Sequence, residues 1–299
     1  MPSGWIILDK PVGLGSTQAV AAVKRNLREA GFGKKVKVGH GGTLDPLASG
    51  VLPIALGEAT KLCGKMLDAS KRYVFTVHFG AETDTLDLEG AVIATSPHRP
   101  SPEEVAAILP RFAGPIEQVP PAYSAILVDG QRAYDRARAG EDVVLKSRAV
   151  TVHSLELDDA GPEAATLSAH VSKGTYIRSL ARDIARALGT VGHVTMLRRT
   201  SAGPFALDQA ILLDKLNEIG KGAPLENVLL PLEAGLVDIP ALDLDPEQAR
   251  AVRQGRVLTG LAFSDGVYWA RLGTLPIALV DLSGGCLTVA RGFNLDVAE

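Results

Sequence analysis

Apolar and polar positions along the chain recur with two different periods, and the switches between them mark the elements. Residues 4–8 (GWIIL) form a continuous apolar run of strand length. The loop DKPVGLG follows, then a helix with Ser16 or Thr17 as its expected N-cap and an end near Gly31. VLPIALG predicts a strand and ATKLCGKMLDA a helix, after which KRYVFTVHFG alternates with period two and puts Tyr73, Phe75, Val77 and Phe79 on one face. The run ETDTLDLEG is acidic and turn-rich and predicts a loop. Ser101-Pro102-Glu103-Glu104 is a capping box with proline at the first helical position, predicting a helix to about Phe112.

Pro120 and Pro121 break regular structure, Asp129-Gly130 marks a tight turn before a short basic helix, and paired strands are expected near 149–157 and 166–172. SKGTYIRSLARDIARALG carries the clearest helical period: Ile177, Leu180, Ala181, Ile184, Ala185 and Leu188 make one apolar stripe, and Arg178, Arg182 and Arg186 a second, basic one. A last strand pattern, HVTMLRRTSAGPFAL, precedes mostly helical sequence to about Leu236. From Ile239 the texture changes to short strand candidates separated by glycines (GRVLTG, GVYWARL, LPIALVDL, CLTVARGF), which predicts a small β-barrel or sandwich. The expected organisation is therefore a larger domain over 1–238 and a smaller one over 239–299.

Composition narrows the class. With 46% hydrophobic and 22% charged residues in 299, long disordered tracts are not expected. Two cysteines, Cys63 and Cys286, lie far apart without a CxxC pair, which argues for a reducing compartment. No run of about eighteen apolar residues occurs and the N-terminus has no basic-led apolar leader, so the chain is expected to be neither secreted nor membrane-spanning, but cytoplasmic. The six histidines make no HxH or HExxH set, so no metal site is expected.

Charge alters that picture locally. The net charge is -3, yet residues 1–205 hold 24 Lys/Arg against 21 Asp/Glu and residues 206–299 hold 7 against 13. The positives gather at Lys34, Lys35 and Lys37; at Lys61, Lys65, Lys71 and Arg72; and at Arg178, Arg182, Arg186, Arg198 and Arg199. Such clusters either contact phosphates or form ordinary solvated faces.

The stretch GHGGTLDPLASGVLP, residues 39–53, frames one acid, Asp45, with Gly39, Gly41, Gly42 and Gly50. Asp45-Pro46 fits a cap at a helix or turn. The glycine density exceeds what a cap needs, and neither a P-loop, a strand-coupled GxGxxG nor a GxSxG elbow is present. A positioned carboxylate acting as nucleophile or general base is the alternative, and it needs a cation to stay ionised. Arg178 is the candidate: in the first turn of its helix a cation opposes the macrodipole, so helix propensity does not account for it. Tyr73 and Tyr176 are candidate platforms for a planar ring.

GWIILDKPVGLGS, GHGGTLDPLASGVLP, KRYVF, SKGTYIRSLARD and HVTMLRRTSAG, in this order, resemble the bacterial tRNA pseudouridine synthases of the B type, which modify a uridine in the T-loop. The resemblance covers about residues 4–210, and the tail looks like the small PUA RNA-binding domain that commonly ends these enzymes. It implies an α+β catalytic domain with a central mixed, mainly antiparallel sheet flanked by helices. It also implies a reaction needing neither metal nor cofactor, and a monomer that binds the T-arm of tRNA in the catalytic domain and the acceptor end with the PUA-like domain.

By the same resemblance Asp45 is the catalytic acid, Arg178 its partner and Tyr176 part of the pocket lining, while Tyr73 stacks on the flipped uracil. His40 helps hold the rearranged loop, Leu197 borders the pocket, and Lys10 with Pro11 supports the active-site loop. Two chemical routes are open for Asp45, attack on C1′ or removal of a ribose proton to give a glycal. Two departures stand out: Gly41 where the family usually has threonine, and Gly15 where it has a second serine. Looser loops are the expected consequence.

Overall fold

The structure, a computed structural model, describes residues 1–295. Its strands are, in chain order, β1 (Gly4–Lys10), β2 (Val38–His40), β3 (Ser49–Leu56), β4 (Lys71–Phe79), β5 (Ala81–Thr83), β6 (Val92–Thr95) and β7 (Gly114–Gln118). There follow β8 (Leu127–Val128), β9 (Gln131–Arg132), β10 (Arg148–Ala160), β11 (Ala164–Val171), β12 (Gly192–Ala202) and β13 (Phe205–Ala206). The main helices are α1 (Ser16–Glu29), α2 (Cys63–Asp68), α3 (Pro102–Ile108), α4 (Ala133–Arg138), α5 (Ile177–Ala187) and α6 (Leu213–Gly220).

A nine-stranded sheet runs β1-β3-β12-β4-β11-β10-β7, with β2 on β3 and β13 on β12. Every pairing is antiparallel except β3 with β12, so the sheet is mixed and mainly antiparallel as expected.

Successive side chains of a strand point to opposite faces, and β1 is apolar on both because both are covered. Ile6 and Leu8 pack with Val23, Leu27, Leu216 and Ile219 from α1 and α6. Trp5 and Ile7 pack on the other face with Met66, Phe205 and Leu232. On the far half of the sheet, Phe75, Val77 and Phe79 meet Ile177, Leu180 and Ile184 of α5. Burying each such side chain stabilises the fold by roughly 1.5–3 kcal/mol.

Two local expectations are corrected. The N-cap of α1 is Gly15, not Ser16 or Thr17; the Ser16 hydroxyl is turned instead to the backbone of Leu44, and Gln18 accepts from the Gly15 N–H. The ATKLCGKMLDA segment is a 3-10 turn, Gly57–Leu62, running into α2, not one helix.

The C-terminal unit holds β14 (Ala241–Asp243), β15 (Gly266–Leu272), β16 (Leu275–Ser283) and β17 (Cys286–Gly292) in that order, with α7 (Pro246–Arg253) packed on them. The pairing does not join β14 to β17, so an open sheet with a helix stands where a barrel or sandwich was expected. Asp245, with proline after it and Gln248 three residues on, caps the helix that the strand-like texture hid. Leu279 and Phe293 of this unit reach the Trp5 cluster, and Lys61 donates to the Gly292 carbonyl, so the unit is seated on the main sheet. No helix among the described residues is long and apolar enough to cross a membrane.

Candidate active site

The loop from Gly41 to Ala48 crosses the end of β3 and turns its backbone carbonyls inward onto two buried cations. Arg199, 1% exposed, donates to the carbonyls of Val51 (2.7 Å), Thr43 (3.0 Å) and Gly42 (3.3 Å). Lys10, wholly buried, donates from Nζ to Leu14 (2.6 Å), Pro11 (2.9 Å) and Pro46 (3.3 Å). Ser16 adds a reciprocal pair: its Oγ accepts from the Leu44 N–H (2.8 Å) and donates to the Leu44 carbonyl (2.9 Å). Fixed donors around one loop favour a single conformation of it.

The glycines make this close approach possible. Gly50 has φ +104, and a Cβ there would lie 2.1 Å from the Arg199 carbonyl oxygen, on the one parallel pairing of the sheet. Gly41 is buried, and a Cβ on it would lie 2.8 Å from Met66 Cβ. The loop is thus close-packed at Gly41, which corrects the expectation of looseness there.

Asp45 emerges from this frame with its side chain 37% exposed, and Arg178 Nη2 lies 2.9 Å from its Oδ2. The Arg178 guanidinium is itself anchored. Nη1 donates to the Thr85 carbonyl (2.8 Å) and meets Asp87 Oδ2 at 3.3 Å, while Nη2 also donates to the Tyr123 carbonyl (3.0 Å). Asp87 is buried, and its Oδ1 accepts from Thr85 Oγ1 (2.6 Å) and the Glu89 N–H (3.0 Å). A guanidinium fixed by two carboxylates and two carbonyls cannot swing away from Asp45 without leaving buried groups unpaired.

A cavity of about 720 Å³ opens beside this pair, lined by Asp45, Arg178, Tyr73, Tyr176, His40 and Leu197 among others. Tyr73 comes from β4, opposite Arg199 of β12. Tyr176 precedes α5 and is held by Gln118, whose amide accepts from its N–H (2.8 Å) and donates to its carbonyl (3.1 Å). The Arg148 guanidinium lies 4.8 Å from the Tyr176 ring centre. Burial, then the Arg199 charge, push His40 below its usual pKa and favour the neutral imidazole. Burial lowers Lys10 to about 8; Asp45 opposes that shift and Arg199 adds to it.

The six predicted cavity residues therefore come together. Lys10 and Pro11 do not line the cavity but sit under the loop, joined through the Pro11 carbonyl. Sequence reasoning passed over Asp87, inside a run assigned as loop, and left Arg199 in a surface cluster. The signal for Arg199 was its neighbour: adjacent strand residues face opposite ways. Arg198 pairs outward with Asp9 at 2.7 Å, which sends Arg199 inward.

Against known proteins, residues 28–177 match the model of the TruB family pseudouridylate synthase N-terminal domain, and residues 178–237 match that of the tRNA pseudouridylate synthase B C-terminal domain. The chain is 74% identical to tRNA pseudouridine synthase B of Novosphingobium aromaticivorans over all of both chains. It is 58% identical to that of Zymomonas mobilis over 97% of this chain and 96% of that one. Among solved structures, an H/ACA RNP bound to a substrate RNA containing 2′-deoxyuridine aligns with a TM-score of 0.74 at 26% identity, covering 98% of this chain and 85% of that one.

Proposed function

The chain belongs to the TruB family of pseudouridylate synthases and is an isomerase; from that premise we propose that it converts uridine 55 in the T-loop of tRNA to pseudouridine, with Asp45 as the catalytic acid. The observation that carries this reading is the 2.9 Å contact of Asp45 with Arg178 at the mouth of a cavity walled by Tyr73, Tyr176 and Leu197.

The reaction exchanges an N1–C1′ bond for a C5–C1′ bond. Uracil detaches, turns and reattaches; N1 gains a proton and C5 loses one, so no electrons or atoms are exchanged with a cofactor. A base within a stack cannot be reached, so the uridine is flipped out at a cost of about a few kcal/mol, less in an unpaired loop. Asp45 acts at the ribose while Arg178 keeps its carboxylate ionised and aimed. Tyr73 stacks on the flipped uracil, Tyr176 and Leu197 hold it against escape, and His40 steadies the loop as a neutral ring. Lys10, with the Pro11 carbonyl as one of its acceptors, keeps the Asp45 loop in place from below.

Residues 239–299 serve as a PUA-like RNA-binding domain that takes the acceptor end of the tRNA, attached to a catalytic domain over 1–238. The enzyme works as a cytoplasmic monomer. Mapping of modified uridines by carbodiimide labelling, on tRNA transcripts treated with the protein, tests the assignment. Pseudouridine at position 55 alone is expected; modification elsewhere with position 55 unreacted refutes the substrate.

A further inference from the structure

Six of the fourteen residues from Lys24 to Lys37 are Lys or Arg, and one, Glu29, is acidic. Cations of the other basic runs are largely consumed inside the protein. Backbone carbonyls take Lys71, Arg178 and Arg199, while Arg198, Arg182 and Arg186 pair with Asp9, Asp183 and Glu82. Lys24, Arg28, Lys34 and Lys35 make no ion pair among the described residues.

Helical phase explains why the one acid does not neutralise them. Arg25 and Asn26 turn toward α6, where Asn217 Oδ1 accepts from both, and the Glu29 carboxylate lies against Gly220 on the same side. Lys24 and Arg28, four residues apart, stand together on another face. The chain then reverses through Gly31 (φ +87) and Gly33 (φ +77), bringing Lys34 back over the helix end. Lys24, Arg28 and Lys34 line a small concavity of about 120 Å³ floored by Leu27, Val36 and Val38. The macrodipole favours Arg28 in the last turn, but Lys24 repels it and Lys34 lies outside the helix, so local stability does not account for their convergence.

The patch also has a fixed position relative to the cavity. The first turn of α1, from Ser16, lines that cavity, and Arg28 lies twelve residues along the same helix, roughly 18 Å away at about 1.5 Å per residue. From Lys37, β2 leads directly back to His40 at the cavity wall.

We propose that Lys24, Arg28 and Lys34, with Lys35 beside them, grip the sugar-phosphate backbone of the substrate RNA about one helix length from the reacting nucleotide. This rests on the RNA-isomerase reading of the Asp45 site. The contact is sequence-independent, because a concavity of cations presents charge and no pattern of acceptors to a base edge.

The test uses the full chain with Lys24→Ala, Arg28→Ala and Lys34→Ala combined, beside a charge-keeping set, Lys24→Arg, Arg28→Lys and Lys34→Arg. Binding of an unmodified tRNA transcript is measured across a salt series, and tritium release from 5-tritiated uridine at saturating RNA. The alanine set should weaken binding about tenfold or more and flatten the slope of log K against log salt by roughly 2 to 3, at about 0.7–0.9 per phosphate released. Its saturated rate should match wild type, and the charge-keeping set should restore both affinity and slope.

An unchanged affinity, or weaker binding with an unchanged slope, overturns the proposal. So does an unchanged RNA slope when the same set abolishes binding to vesicles containing anionic lipid, which would assign the patch to a membrane surface. If the wild type itself releases no tritium, the isomerase reading fails, while the salt slopes still decide the grip.

Discussion

Asp45 and Asp87 meet different nitrogens of one guanidinium: Arg178 Nη2 lies 2.9 Å from Asp45 and Nη1 lies 3.3 Å from Asp87. The half-exposed acid is thus positioned by a buried one that never reaches the cavity floor alone. Removing the Asp87 charge leaves Arg178 free to rotate about its remaining contacts and to satisfy Asp45 in other geometries. Asp87→Asn is expected to lower the single-turnover rate at saturating RNA by roughly 10- to 100-fold, the equivalent of about 1.4–2.7 kcal/mol, with RNA affinity unchanged. Rate measurements beside tRNA binding check this; a wild-type rate would show that Arg178 needs no second carboxylate.

Gly41 and Met66 form a packed pair. Adding a threonine side chain at 41 places Cβ within 2.8 Å of Met66 Cβ, an atom fixed to the backbone of α2 and unable to move aside as a side-chain tip would. Gly41→Thr should destabilise the protein by about 1–3 kcal/mol through overpacking. Combined with Met66→Ala it should cost less than the sum of the two single changes by at least about 0.5 kcal/mol. Thermal melts of the four proteins in the cycle decide it, and additivity would mean the two positions do not compete for space.

Lys10 carries the pH dependence. Its pKa is held at about 8, below the usual 10.5, because burial disfavours the charged amine. Between these values the unfolded chain binds a proton that the folded one has released, so this group's contribution to stability rises with pH across that window while the Asp45 loop loses its cation. Activity at saturating RNA should therefore fall with an apparent pKa near 8 although the fold persists. Lys10→Met should remove that alkaline limb and lower the rate at neutral pH; a limb that survives in the variant assigns it to another group.

Much of this was legible in the sequence where a single period dominates. The apolar run of β1, the alternation of β4 and the stripe of α5 each carry enough burial to fix their own structure, and Asp45, Arg178, Tyr73 and Tyr176 fall at the ends of those elements. The harder features depend on partners far along the chain. Asp87 looks like any turn acid until Arg178 arrives from α5, ninety-one residues later. Ser16 has the residue type of a cap, but its hydroxyl gains two bonds with Leu44 that a cap would not provide. Gly41 suggests freedom by its own chemistry, and only the approach of Met66 shows that space was the constraint. In the C-terminal unit, short strands of similar spacing suit a closed barrel or an open sheet equally, and the pairing of β14 with β15 alone decides between them.

The central claim is that the Asp45 carboxylate does the chemistry. Tritium release from tRNA carrying 5-tritiated uridine, compared for wild type and Asp45→Asn at saturating enzyme, addresses it most directly, since the amide keeps the shape and loses the charge. Rapid release by the wild type, none above background from the variant, and equal tRNA binding by both are predicted; release from Asp45→Asn at the wild-type rate would contradict the account.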